Sequence, residues 1–135
     1  MFTEDDFMRY VAAFNLGDSQ AYGSFYAPSI IFENGAGARL QGPAAIVGYY
    51  EALKGRIARK MEVRAVIASG AALCAALHSR FEILSAAEEF AGQTLHEGDI
   101  VLLDSMALYE LEGRRFASIQ ARSLSRQIVR AETGQ

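Results

Sequence analysis

The chain has 135 residues, of which 51% are hydrophobic, with two prolines and a formal net charge of −3. This length predicts one domain over residues 1–135 that buries roughly two thirds of its unfolded surface, and the composition argues against disorder. The acidic balance and the lack of a basic block exclude an electrostatic footprint for nucleic acid. No apolar stretch reaches the roughly eighteen residues of a membrane span, and the acidic start is unlike a signal peptide.

Cysteine and histidine usage sets expectations for compartment and metal binding. Cys74 is the single cysteine, so it cannot form an internal disulfide, and we expect a buried, unreactive thiol. With no targeting segment in view, this favours a cytoplasmic protein. His78 and His96 have no cysteine or carboxylate at ligand spacing, so we expect no metal site.

Residues 1–28 predict two helices. Thr3, followed by acidic residues, is typical of a helix N-cap. The apolar face of the first helix follows at helical spacing: Phe7, Tyr10, Val11 and Phe14. Gly17 ends this helix, and Asp18 caps a shorter second helix that ends at Pro28.

Residues 30–60 predict a strand, a turn and a third helix. The strand covers residues 30–33, and Asn34 opens a glycine-containing turn. Gly42-Pro43 opens the third helix. A basic cluster lies at the predicted end of this helix, where cations suit the helix dipole, and it predicts a solvated surface: Arg56, Arg59 and Lys60.

Beyond residue 60 the chain predicts long strands. Residues 61–69 form one strand, and residues 71–84 form another, although their alanines also suit a helix. Ser85–Gly98 predicts a long, flexible hairpin connection, and residues 100–110 and 115–128 form a hairpin around Gly113. Helices first and strands later predict an α+β cone: a strongly bent, mostly antiparallel sheet wrapped around three N-terminal helices and enclosing an apolar pocket.

Several short landmarks occur in a recognisable order along the chain. They are Arg9-Tyr10-Val11, Leu16-Gly17-Asp18, Phe25-Tyr26-Ala27, Phe32-Glu33-Asn34, Gly42-Pro43, Tyr49-Tyr50 and Glu112-Gly113-Arg114. With them, residues 5–125 resemble the nuclear transport factor 2-like superfamily, in its ketosteroid isomerase and SnoaL-like (polyketide cyclase-like) branch. The resemblance implies a pocket for a small apolar molecule, no cofactor, and a homodimer formed through the outer face of the sheet.

The resemblance also assigns roles to two tyrosines. Tyr10 matches the isomerase tyrosine whose hydroxyl donates to the developing oxyanion, a role that suits a buried phenol. The alternative is an ordinary amphipathic-helix tyrosine with its tip in water. Tyr50 matches a tyrosine that supports this donor, and a packed aromatic residue explains it equally well.

Asn34 stands where the isomerases have their general-base aspartate. This is a departure from the family pattern, because an amide cannot accept a proton at neutral pH. Asn34 can still hydrogen-bond a ligand or orient a water, or it is simply a turn residue. The neighbouring Glu33 is expected on the opposite face of the strand.

The second acid of the isomerases is a protonated aspartate in the penultimate strand. Counting back from Gly113 places Ser105 at that position and Asp104 one residue away. Both faces of this strand are apolar, and a one-residue slip exchanges them, so the pattern does not decide which residue points inward. An inward Asp104 would be a buried carboxyl with a raised pKa. We favour an outward Asp104 paired with an arginine.

The sequence therefore predicts a cofactor-independent isomerase, cyclase or dehydratase acting on an apolar, enolisable substrate. Its predicted catalytic residues are Tyr10, Asn34 and Asp104. The predicted pocket residues are Phe14, Tyr50, Phe81, Leu103, Ser105 and Ile119. One alternative is a non-catalytic dimeric pocket protein that binds an apolar metabolite, since Asn34 replaces the base. Another is a protein-interaction module that uses the sheet face.

Overall fold

The computed structural model describes residues 2–85, 88–90 and 93–131. These residues contain three helices: α1 (Glu4–Leu16), α2 (Ser19–Gly23) and α3 (Pro43–Leu53). They also contain eight strands: β1 (Tyr26–Glu33), β2 (Arg39–Gln41), β3 (Ile57–Ser69), β4 (Ala72–Ile83), β5 (Glu88–Phe90), β6 (Gln93–Leu95), β7 (Ile100–Glu112) and β8 (Arg115–Val129). The predicted α+β fold is confirmed.

Six strands form one sheet in the order β2-β1-β8-β7-β4-β3, and β5 pairs with β6 separately. Within the larger sheet β1 and β8 run parallel, while its other neighbouring strands pair antiparallel. α1 contacts β3, and α3 contacts β1 and β2. The helices thus cover one face of the sheet, and the aromatic core lies between the two layers.

The start of α1 follows the predicted capping pattern. Thr3 Oγ1 accepts a hydrogen bond from the Asp6 backbone N–H at 3.1 Å, and the Asp6 carboxylate accepts one from the Thr3 N–H at 2.8 Å. This reciprocal capping box satisfies N–H groups that have no partner within the helix. Gly17 ends α1 with a φ of 71°, a left-handed conformation that glycine adopts without strain.

β1 begins earlier than the sequence indicates. We expected the strand to start at Ile30, with Pro28 ending α2, whereas the strand starts at Tyr26 and contains Pro28. The pairing of β1 with β8 shifts register between Tyr26 and Ile31, so Pro28 lies in an irregularity of the ladder. Proline has no N–H to donate, and strands tolerate it at such places.

The end of α3 and the start of β3 also differ from prediction. α3 ends at Leu53, and β3 begins at Ile57 instead of residue 61. Arg59 therefore belongs to a strand and shares its inward face with Met61 and Val63. The prediction that Arg59 is solvated helix-end surface is wrong, because strand alternation turns its side chain toward the core.

The connection 85–98 contains regular structure where we expected a flexible segment. β5 and β6 pair within it, and Leu95 is fully buried with Ile57, Ile83 and Val101. The part of this prediction that concerns residues 86–87 and 91–92 lies outside the described residues. Of the helices that the structure describes, none is long and apolar enough to cross a membrane.

Candidate functional site

A cavity of about 70 Å³ lies between the helices and the inner face of the sheet. Much of its wall is apolar and aromatic: Phe14, Phe32, Tyr49, Leu53, Met61, Leu77, Phe81, Leu103, Ile119 and Ala121. The remaining lining residues are Tyr10, Asn34, Gly35, Ala36, Tyr50, Arg59, Lys60, Ser79, Ser105 and Tyr109. All six pocket residues that the sequence predicts therefore line this cavity.

Tyr10 reaches the cavity from the buried face of α1, and it is 1% exposed. Its hydroxyl lies 2.8 Å from that of Tyr26 on β1, and either oxygen can be the donor. Burial, followed by the neighbouring Tyr26, raises the pKa of Tyr10 well above its ordinary value. The phenol is therefore neutral, and it can donate a hydrogen bond without losing its proton.

Asn34 lies at the end of β1 and fulfils two roles. Its Oδ1 accepts hydrogen bonds from the backbone N–H groups of Ala36 and Ala38 at 3.1 and 2.9 Å, which fixes the turn. Its Nδ2 donates to the Tyr50 hydroxyl at 3.0 Å. Asn34 is therefore a turn residue, and its side chain also faces the cavity beside Tyr50. Its hydrogen bond to a ligand or a water stays a prediction.

Ser105 faces the cavity, and Asp104 does not. Ser105 is 4% exposed and lines the wall, whereas Asp104 lies on the outer face of the sheet. There its carboxylate contacts His78 Nδ1 at 2.7 Å and accepts a hydrogen bond from Ser125 Oγ at 3.0 Å. The hydrogen bond with His78, followed by that from Ser125, lowers the pKa of Asp104. Including Asp104 among the catalytic residues is thus corrected: it pairs with a histidine, not an arginine, outside the cavity.

Arg59 lines the cavity, and the sequence did not predict it there. Its guanidinium carbon lies 3.6 Å from the centre of the Phe14 ring and 4.5 Å from that of Tyr50. Its Nη1 is buried and has no hydrogen-bond partner among the described residues. Burial is the main cause that lowers the pKa of Arg59 below its ordinary value. The alternation of Ile57, Arg59, Met61 and Val63 was the signal that could have found it.

The described part of the cavity wall has basic side chains but no acidic ones. Among the residues that the structure describes, no aspartate, glutamate or histidine lines the cavity, whereas Arg59 and Lys60 do. Glu33, next to Asn34, instead pairs with Arg122 at 2.8 Å. In the described ranges, no group of three or more histidine, cysteine or acidic residues is placed to hold a metal ion. The cavity is therefore positive although the whole chain is acidic.

The outer face of the sheet carries both charged and apolar side chains. His78 lies there with Asp104, and Arg80 pairs with Glu82 at 3.4 Å. Cys74 is half-buried beside the exposed Leu108, so it is not the fully buried thiol that we expected. The homodimer through this face stays a prediction.

Helices packed on a mixed sheet around an aromatic cavity define the class of nuclear transport factor 2-like, ketosteroid isomerase-like folds. The family model of the SnoaL-like domain matches residues 7–119, which is more than half of the chain. The chain belongs to the SnoaL-like domain family. No curated protein matches it in sequence.

Solved structures similar to this chain include proteins with different assigned activities. A candidate polyketide cyclase of Pseudomonas putida has a TM-score of 0.70 and 21% identity, with 84% of each chain covered. An LEH-like epoxide hydrolase of M. tuberculosis has a TM-score of 0.69 and 14% identity, covering 86% of this chain and 77% of its own. A protein of Catenulispora acidiphila with a ketosteroid isomerase-like fold, in complex with trimethylamine, has a TM-score of 0.68 and 17% identity, covering 87% of this chain and 85% of its own. At these identities the likeness shows the fold alone.

Proposed function

We propose that the cavity binds a small, largely apolar molecule with a hydrogen-bond-accepting oxygen, and that the chain is a pocket protein rather than an acid–base catalyst. The observation that carries this proposal is the absence of a carboxylate or imidazole from the described part of the cavity wall. General acid–base catalysis needs a group whose pKa lies near the working pH. Burial raises the pKa values of Tyr10, Tyr50 and Tyr109, so each phenol is a donor and none is a base.

The wall is suited to such a ligand in two respects. Its aromatic and aliphatic side chains supply apolar contact, which favours transfer of a nonpolar group from water. Its polar side chains are mostly hydrogen-bond donors or hydroxyls: Tyr10, Asn34, Tyr49, Tyr50, Arg59, Lys60, Ser79, Ser105 and Tyr109. A carbonyl or hydroxyl oxygen of the ligand would meet these groups in a site with little water.

A second candidate is a cofactor-independent isomerase, cyclase or dehydratase that acts on an enolisable apolar substrate. The Tyr10–Tyr26 hydroxyl pair favours it, because preorganised donors stabilise a developing oxyanion best where water is excluded. The candidate polyketide cyclase among the similar structures supports the same class of chemistry. In this case a water molecule or the substrate itself would take up the proton, since the described wall has no base.

Small ketones, from acetone to butanone and cyclopentanone, separate the two candidates. At about 100 times its Kd, a ligand of the folded chain stabilises it by about 2.7 kcal/mol, which raises Tm by about 10 °C. In D₂O, enolisation replaces the hydrogens beside the carbonyl by deuterium. Proton NMR measures the rate of this exchange. A pocket protein gives the rise in Tm with exchange at the buffer rate.

An enzyme gives exchange that is faster than in buffer, and Tyr10→Phe slows it by about 100-fold. Leu124→Ala is the matched control, because Leu124 is exposed on β8 and does not line the cavity. If no ketone raises Tm and none exchanges faster than in buffer, the enzyme candidate is wrong, and the pocket candidate is wrong as well unless the acids or amides tested below bind.

A further inference from the structure

Arg59 lies in the wall between two spaces. One is the aromatic cavity, and the other is a second cleft of about 340 Å³. Phe14, Tyr50 and Leu53 also line both spaces. A ligand group in either space therefore lies beside the Arg59 side chain.

The guanidinium is incompletely paired. A guanidinium has five N–H donors, and the two aromatic rings beside Arg59 attract its charge without accepting a strong hydrogen bond. Nη1 is buried without a partner within the described residues. A buried donor and a buried charge are both unfavourable unless a partner satisfies them. An anion bound at Arg59 would satisfy both.

The surroundings favour a negative ligand over a neutral one. No acidic residue lines either space in the described part of the chain, and Lys60 and Lys54 add positive charge at the margins. Lys54 is already engaged, since its Nζ lies 2.7 Å from Glu51 and 2.8 Å from the Gly17 carbonyl oxygen. Arg59 is thus the cation that remains available to a ligand inside the molecule.

The number of cations that face the interior favours a carboxylate over a phosphate. The planar fork of a guanidinium matches the two oxygens of a carboxylate and can bind both. The one half-buried guanidinium of Arg59 neutralises a monoanion. A phosphate dianion would retain an unbalanced charge in the same place, because the neighbouring Lys60 is exposed.

The size of the cavity limits the rest of the ligand. A buried apolar cavity of about 150 Å³ accommodates benzene, and this cavity is about 70 Å³. A short alkyl chain fits it better than a fused ring system. On the basis of the proposed pocket function, we infer that the ligand is a small aliphatic monocarboxylate whose carboxylate pairs with Arg59 and whose alkyl part occupies the aromatic cavity.

Isothermal titration calorimetry with acids and their amides tests this inference. Butyrate and butyramide have nearly the same shape and differ in charge. We expect wild-type chain to bind butyrate at least tenfold more tightly than butyramide. Along the series from acetate to hexanoate, affinity should rise about threefold to fourfold per methylene until the cavity is filled.

Three variants locate the effect. Arg59→Met removes the charge at similar length, so butyrate affinity should fall at least tenfold while butyramide affinity is retained. Arg59→Lys keeps the charge without the fork and should give an intermediate loss. Arg64→Met is the matched control: Arg64 lies on the same strand, is exposed and pairs with Glu62, so butyrate affinity should not change. Thermal unfolding checks the fold, and Arg59→Met should be at least as stable as wild type without ligand.

The outcomes distinguish this inference from the proposed function. Equal binding of butyrate and butyramide by wild type and Arg59→Met would overturn the anion inference and leave the pocket intact. Tighter binding of inorganic phosphate than of butyrate would overturn the assignment to carboxylates. If neither acid, amide nor small ketone binds, the pocket function itself is wrong.

Discussion

Tyr10 and Tyr26 satisfy each other's hydroxyl groups in the interior. Tyr26 is 3% exposed, and burial is the main cause that raises its pKa well above the ordinary value, while the hydrogen bond with Tyr10 opposes the shift. Both side chains are shielded from bulk solvent. Removing one oxygen therefore leaves the other as a buried, unpaired polar group.

We expect Tyr10→Phe to lower the free energy of unfolding by about 1–3 kcal/mol. The double variant Tyr10→Phe/Tyr26→Phe should be less destabilised than the sum of the single variants, because it leaves no unpaired hydroxyl. Urea denaturation of the four chains of this cycle measures the coupling energy. Additive effects would show that the hydroxyl pair contributes nothing to stability.

The residues of the site differed in how far the sequence could predict them. Tyr10 and Ser105 were located by their distances from Gly17 and Gly113, and Asn34 by its place at the end of the first strand; each lines the cavity. Arg59 was missed because we assigned it to a helix end, where a basic residue suggests solvent. An inward cation on a strand breaks the ordinary pattern of apolar burial, so hydropathy alone gives no indication of it.

At the scale of elements, the turn after β1 connects the site to the sheet. Asn34 holds this turn through its Oδ1, and Gly35 brings it close to β7. A Cβ at Gly35 would lie 3.1 Å from Leu103 Cδ2 and 3.5 Å from Ser105 Cβ, so glycine permits the approach. The turn therefore forms part of the cavity wall.

We expect Asn34→Ala to lower the free energy of unfolding by about 1–3 kcal/mol, since two backbone N–H groups of the turn lose their acceptor. Asn34→Asp is the matched control, because a carboxylate oxygen can accept the same two hydrogen bonds. It should retain most of the stability. Thermal unfolding of both variants measures the difference, and equal losses would contradict the role of Oδ1.

The sequence could not determine the register of β7 against its neighbouring strand. Both faces of β7 are apolar around Asp104 and Ser105. The alternation of residues along the strand therefore does not show which of the two faces inward. The structure has a register shift at this point: Asp104 pairs with Ser125 and Ser105 with Ser123, which leaves Leu124 as an extra residue on β8. A bulge of this kind depends on the partner strand, and the sequence of one strand cannot reveal it.

At the scale of the whole molecule, the buried tyrosines link stability to pH. Burial raises the pKa of five of the six tyrosines above the ordinary value: Tyr10, Tyr22, Tyr26, Tyr50 and Tyr109. The ordinary phenol pKa is about 10. Above that pH the folded chain binds more protons than the unfolded chain, so this contribution to stability is complete below pH 10 and is lost as the pH rises further.

We therefore expect cooperative alkaline unfolding. The ultraviolet absorbance of the phenolates of these five tyrosines should appear together with the loss of circular dichroism, whereas in denaturant they should titrate near pH 10. A pH titration followed by both signals measures this. Phenolate formation by these tyrosines near pH 10 in a chain that keeps its folded circular dichroism would contradict the burial described here.

The position of β8 between β1 and β7 has a consequence for biosynthesis. β1 ends at Glu33, but the strand that pairs with it in parallel begins at Arg115. At about 5–20 residues per second, a ribosome needs roughly 4–16 s to synthesise the residues between them. During that time one edge of β1 lacks its neighbouring strand, and the cavity wall is incomplete without Ile119 and Ala121. The cavity is therefore completed late in translation, and the nascent chain exposes aromatic surface to chaperones until β8 emerges.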